Sequence, residues 1–160
     1  KRVSPLPGGA YIAGKIAASV LFTGVAVLAI YALGTLAGGV RLSAERWLLL
    51  IAIHLASVAP FALIGLGVGM RMTAKGAVAA ANFLFLGFAV LGGLWFPIDS
   101  LPDWLRALAW ITPSWHLGEL ALMATGLPRA NSALFHGGVL VAMTAGAAVF
   151  AASGWRRSAI

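Results

Sequence analysis

The sequence has no cysteine and only four acidic side chains among its 160 residues. The missing thiols exclude a disulfide framework and any thiolate metal site. The shortage of acids belongs to a wider shortage of charge. Charged residues make up 9% of the chain, whereas a soluble domain carries about 25%. The opening residues do not read as a signal peptide. Lys1-Arg2-Val3-Ser4-Pro5-Leu6-Pro7-Gly8-Gly9 leads from charge into prolines and glycines, with no short apolar core and no cleavage site. The chain reads as part of a longer polypeptide.

What is present is apolar. Such residues are 61% of the chain and mean hydropathy is +0.98, so the solvent is largely lipid. Four stretches have the roughly 20 apolar residues that a bilayer crossing needs: 16–40, 47–70, 77–95 and 134–154. None contains Lys, Arg, Asp or Glu. Residues 1–15 precede them and 155–160 follow. The expectation is an all-α membrane protein with four transmembrane helices.

The charges fall between the runs, and unevenly. Lys1, Arg2, Lys15, Arg71, Lys75, Arg156 and Arg157 share one side, with no acid. Arg41, Arg46, Arg106 and Arg129 share the other with Glu45, Asp99, Asp103 and Glu119. The positive-inside rule counts Lys and Arg in short loops. A seven-to-four split puts both termini in the cytoplasm of a multi-pass protein of the cell membrane. The net charge of +7 is therefore a topology signal. Nucleic-acid binding would need a basic stripe on a soluble face. Trp47, Trp95, Trp104, Trp110 and Trp115 gather at or beyond the outer interface, the depth at which amphipathic rings anchor.

The outer segment 96–133 is too long for a simple loop and too polar for a span. Ser100-Leu101-Pro102-Asp103 reads as a helix start, a Ser cap followed by an acid three residues on. Trp104, Leu105, Leu108 and Ile111 then recur at helical spacing. Pro113 ends that helix and suits the first turn of another, over 114–125. At about 18 Å this second helix enters one leaflet without crossing. Two short re-entrant or interfacial helices are thus expected between the third and fourth spans. A fifth span here would bury Arg106, Pro113, His116 and Glu119, at about 2.5–3.5 kcal/mol per ion.

Other signals are weaker. Residues 9–16 approach a phosphate-binding P-loop, but Ile16 stands where Ser or Thr must hold magnesium. Gly34 and Gly38, and Gly65 and Gly69, have the four-residue spacing of close helix packing in lipid. His54 lies inside the second span, bonded either to a backbone carbonyl or Ser57, or serving function. No span supplies the carboxylate that a proton relay would use. Asn82, Phe83, Phe85 and Phe88 on the third span fit a pathway for a bulky apolar substrate, a lipid face or a core. Pro60 removes a backbone donor from the second span. His54, His116 and His136 lack metal-ligand spacing, and no nucleophile constellation is present.

Three groups of residues carry a resemblance. The first is Arg2-Val3-Ser4-Pro5-Leu6-Pro7 with Tyr11 and Lys15, leading into a span. The second is Gly93-Leu94-Trp95-Phe96-Pro97 at the exit of the third span, followed by Leu101-Pro102 and Trp104-Leu105. The third is Pro113-Ser114-Trp115-His116, with Glu119 ahead of the final span. In order and spacing these resemble the membrane subunit of type-2 ATP-binding-cassette exporters, over the last four of its usual six spans. The resemblance implies a permease that conducts a drug, lipid or lipid-linked glycan and is not itself an enzyme. A cytoplasmic ATPase subunit would hold ATP and magnesium, with no cofactor in this chain. A second permease domain would pair with it, as a homodimer. Arg2, Ser4, Pro5, Leu6, Pro7 and Tyr11 would couple to the ATPase. Phe96, Pro97, Leu101, Pro102, Trp104, Pro113, His116 and Glu119 would form an outer cap, with Asn82, Phe85 and Phe88 along the pathway. Two other classes fit the composition: a non-transporting anchor or assembly subunit, and a carrier driven by an ion gradient. Co-purification with a P-loop ATPase separates the first reading from both.

Overall fold

In hydrocarbon no water pairs with backbone amides, so an isolated crossing segment satisfies them internally as a helix. The structure, a computed structural model, describes residues 8–158, and their side chains except those of Tyr11 and 156–158. Six helices follow in order: α1 (Gly8–Leu36), α2 (Ala44–Gly69), α3 (Ala74–Leu91), α4 (Asp103–Ala109), α5 (Pro113–Ala124) and α6 (Ala133–Ser158). A 3₁₀ turn over Ile98–Ser100 precedes α4, and no strand occurs among the described residues. Four helices are long and apolar enough to cross a membrane, over Ile12–Leu36, Ala44–Gly69, Ala74–Leu91 and Ala133–Trp155. The fold is all-α with four candidate spans and two short helices between the last two, as the sequence predicts.

Local chemistry sets the helix ends, and several differ from the expected ones. The near P-loop segment lies in the opening turns of α1. That helix stops at Leu36, short of Val40, because the chain turns through Gly39 at φ +66°. Ser43 then caps α2 by accepting from the Arg46 amide, and Thr73 caps α3 by accepting from Gly76. Helix α3 ends at Leu91 rather than Trp95. The Leu94 amide closes back on the Ala89 carbonyl at 2.9 Å around Gly93, whose φ is +73°, a left-handed helix ending that glycine permits.

Ser100 is not a helix cap, contrary to expectation. Its hydroxyl donates to the Pro97 carbonyl at 2.7 Å and closes the 3₁₀ turn. Pro102 occupies the position before α4. Pro113 does open α5, in its first turn. Helix α4 ends at Ala109, two residues before the Ile111 of the expected stripe: Trp104 is 65% and Ile111 71% exposed, Leu105 is half-buried, and Ala109 is fully buried.

Helix α2 is the hub. It packs on α1, α3, α5 and α6, most extensively on α6, and runs unbroken through a fully buried Pro60. The glycine that lets α2 and α6 approach is Gly67, since a Cβ there would sit 2.2 Å from the Phe150 ring. Gly65 and Gly69 face open space within this chain, and a Cβ at Gly34 would make only ordinary contact with Val40. The expected glycine pairs therefore do not form the helix contacts seen here.

Candidate functional site

Helix α5 packs against α2, α3 and α6, and several contacts fix it there. At its start, Ser114 meets the end of α3, where a Cβ on Gly92 would come within 2.7 Å of the Ser114 Cβ. At its finish, the Arg46 Nη1 donates to the Thr125 carbonyl at 2.8 Å. A cation is thus placed at the negative end of the α5 dipole. Gly126 follows at φ +93°, and a Cβ there would strike the Arg46 guanidinium at 2.7 Å.

Two polar pairs hold α5 between these ends, one at its first turn and one at its middle. Glu119, buried, accepts two hydrogen bonds from Arg129, one of them Nε to Oε2 at 2.7 Å. This paired geometry offsets the cost of dehydrating the carboxylate. It also holds the Arg129 guanidinium above its usual pKa, chiefly through the hydrogen bond to Glu119, so the cation persists at any working pH. His116 and His136 bring their Nδ1 atoms to 3.0 Å, and both rings are buried. The Trp110 carbonyl lies 2.9 Å from His116 Nε2. A carbonyl only accepts, so His116 carries its proton on Nε2. In the neutral pair His136 Nδ1–H then donates to the His116 Nδ1 lone pair. This chain of bonds joins the end of α4, the start of α5 and the start of α6.

Trp115 is at the centre of this cluster, 4.5 Å from the Trp110 ring and 5.2 Å from His136 between centroids. It is a buried core residue of this cluster. The Trp115 Nε1 and His136 Nε2 atoms are buried without a protein partner among the described residues.

Beneath α5 a cavity of about 670 Å³ opens between α2, α3 and α5. Its walls include Phe61, Ile64, Phe85, Phe88 and Leu117, with His54 and Ser114 as its strongest polar members. A ligand site of this size, apolar with few polar groups, is of the usual kind. His54 also lines a neighbouring cavity of about 480 Å³, which carries the hydroxyls of Ser19, Thr23 and Ser57. The His54 ring bonds to a backbone carbonyl, that of Leu50 at 2.8 Å, and approaches the Tyr31 hydroxyl at 2.9 Å. Ser57 reaches the His54 backbone carbonyl rather than its ring.

The residues proposed from the sequence separate into groups. Phe85 and Phe88 line the cavity, whereas Asn82 is exposed and does not. Pro113, His116 and Glu119 are buried in the α5 seat. Phe96, Pro97, Pro102 and Trp104 are exposed around the 3₁₀ turn and α4, with Leu101 half-buried. Arg2, Ser4, Pro5, Leu6 and Pro7 lie outside the described residues, as does the Tyr11 side chain. Sequence reasoning missed Arg46, Arg129 and His136 as parts of the α5 seat. It also missed Arg71 at the opposite end of α2, which donates to the Gly67 and Phe150 carbonyls and stacks 3.8 Å from the Phe150 ring centroid. Uncharged spans made each flanking arginine look like a topology marker. No group of three metal-ligating side chains occurs among the described residues.

Residues 1–126 match a protein family described as ABC-2 type transporter. The chain is similar to YvfS of Bacillus subtilis (strain 168), which is named as a transport permease. The two are 25% identical over 118 residues, which cover 74% of this chain and 48% of that protein. The chain thus spans about half the length of the curated relative it matches. No solved structure matches.

Proposed function

Because the chain belongs to the ABC-2 type transporter family, we propose that it is the four-span part of an ATP-driven permease that exports a hydrophobic or amphipathic substrate across the cell membrane. The observation that most supports a substrate of this kind is the cavity beneath α5, whose walls are apolar apart from a few polar groups. In this reading ATP and magnesium belong to a separate cytoplasmic ATPase subunit, and a second permease domain completes the pathway. The seven-to-four distribution of Lys and Arg supports cytoplasmic termini and, with them, α4 and α5 at the outer face. Arg2, Ser4, Pro5, Leu6, Pro7 and Tyr11 then face the ATPase as its coupling contact. The motion starts when the ATPase pair closes on ATP. Rigid spans carry it outward to the cap. Helix α5 moves with α2 and α6 because Arg46 and His136 tie it to them, while Pro97, Pro102 and Pro113 set the corners about which the cap turns.

Co-purification and flux test the proposal. The full-length permease should retain a P-loop ATPase on purification, and reconstituted vesicles should move a lipophilic dye only when ATP is supplied. Flux that follows an ion gradient without nucleotide would replace this reading with that of a carrier. A protein that binds no ATPase and moves nothing would be an anchor or assembly subunit.

A further inference from the structure

We propose that His54 is the recognition point for a hydrogen-bond donor, a hydroxyl or an amine, on an otherwise apolar ligand held in the cavity between α2, α3 and α5. The inference rests on the permease reading for the ligand's purpose, but not for its binding.

The partners of the His54 ring fix its tautomer. The Leu50 carbonyl stands 2.8 Å from His54 Nδ1. A carbonyl oxygen has no proton to give, so the proton between them is on Nδ1. The Tyr31 hydroxyl oxygen, 2.9 Å from the same nitrogen, then serves as a second acceptor. Tyr31 also packs edge-on against the imidazole at 5.8 Å and on Trp47 at 5.0 Å between centroids. The ring is therefore held from two helices, and in its neutral form the opposite nitrogen, Nε2, presents a lone pair. Nε2 has no hydrogen bond to the protein among the described residues and is not sealed from a water-sized probe.

The surroundings decide what that lone pair selects. His54 lines both the apolar cavity and the smaller hydroxyl-bearing one. In the larger cavity the other conspicuous polar side chain is Ser114, whose hydroxyl donates to Thr112 at 3.4 Å and keeps an oxygen that accepts more weakly than the imidazole nitrogen. A ligand that fills this space leaves its apolar body against Phe61, Phe85 and Phe88. Its one donor group finds its best acceptor at His54. A site whose strongest side-chain acceptor is one imidazole nitrogen discriminates against an analogue whose donor is blocked, because that nitrogen then stays unpaired.

The test compares two probes on the full-length protein in lipid nanodiscs, 1-dodecanol and dodecyl methyl ether. They share an apolar chain, and only the alcohol can donate. Wild-type protein should bind the alcohol roughly tenfold more tightly than the ether, the effect of one neutral hydrogen bond. In His54→Phe the preference should collapse, with binding of the ether retained. Partition of the probes into the bilayer cancels between the two proteins. Should His54→Phe bind neither probe, ¹⁵N-histidine spectra of the wild type decide. The His54 Nε2 resonance should move with the alcohol and stay still with the ether. Equal affinity of the wild type for both probes, an undiminished preference in His54→Phe, or a stationary Nε2 resonance would overturn the assignment. Loss of ATP-driven flux would not bear on it, because each readout is of binding.

Discussion

Helices α5 and α1 are opposites. Helix α5 has 12 residues and buries six of them, including His116 and Glu119. Helix α1 has 29 residues, and among its described side chains Val27 alone is buried. In water such a difference would mark α1 as unstable. In lipid it marks a division of labour. Apolar side chains gain little by leaving hydrocarbon for protein, so helices associate through close packing and polar contacts. Helix α1 meets the length requirement of a crossing and leaves Leu33 and Leu36 to the surroundings, at 65% and 84% exposure. Helix α5 is too short to cross, so its place must come from bonds, and the chain supplies them with Arg46, Arg129 and His136. The polar contacts concentrate where lipid alone would not hold the structure.

Substitutions can break that contrast. The largest loss is expected for Arg129→Ala, which leaves the Glu119 carboxylate buried and unpaired. Unfolding in mixed micelles should show a loss of about 3 kcal/mol, with part restored by Arg129→Lys. His136→Phe keeps the bulk but removes the donor to His116, whose Nδ1 is left without a partner, at about 2 kcal/mol. Gly126→Ala forces a side chain into left-handed backbone and against Arg46, and should cost about 1.5 kcal/mol. This loss should shrink in the Arg46→Ala background, because half its cause is gone. The smallest effect is expected on α1, where Leu33→Ala should stay within about 0.5 kcal/mol. A loss above about 1 kcal/mol at Leu33 would mean that another helix covers this face, and the contrast with α5 would then belong to one chain and not to the assembled protein.

The parts of the fold readable in the sequence are those that obey a local or one-dimensional rule. Four uncharged runs give four candidate spans, because the bilayer sets their length. Pro113 gives the break before α5, because a proline ring fits a first turn. The errors arise where several local rules compete. Ser100 has the spacing of a cap, but Pro102 follows it, and the residue before a proline is driven away from helical geometry. The hydroxyl closes a turn on Pro97 instead. Gly65 and Gly69 have packing spacing, but two residues along a helix is a rotation of roughly 200°, and Gly67 meets Phe150 while they do not. The α5 seat was legible only in pieces. Arg46 and Thr125 are 79 residues apart, and His116 and His136 are 20 apart. Helix topology brings each pair together, and no spacing rule encodes it. His54 was visible as an ionisable residue in an uncharged span. The cavities beside it arise from the spacing of α2, α3 and α5, which only the assembled bundle displays.

The most direct test of the account locks the cap in place. These 160 residues contain no cysteine, so cysteines introduced in pairs across the α3–α4 contact would be the only thiols in this part of the transporter, and the transporter without the pair serves as the oxidation control. The measurement is ATP-driven dye flux through the full transporter before and after disulfide formation, with ATP binding followed in parallel. Oxidation should abolish flux while ATP binding is retained, and a reductant should restore transport. Flux that continues unchanged with the cap crosslinked would contradict a moving cap.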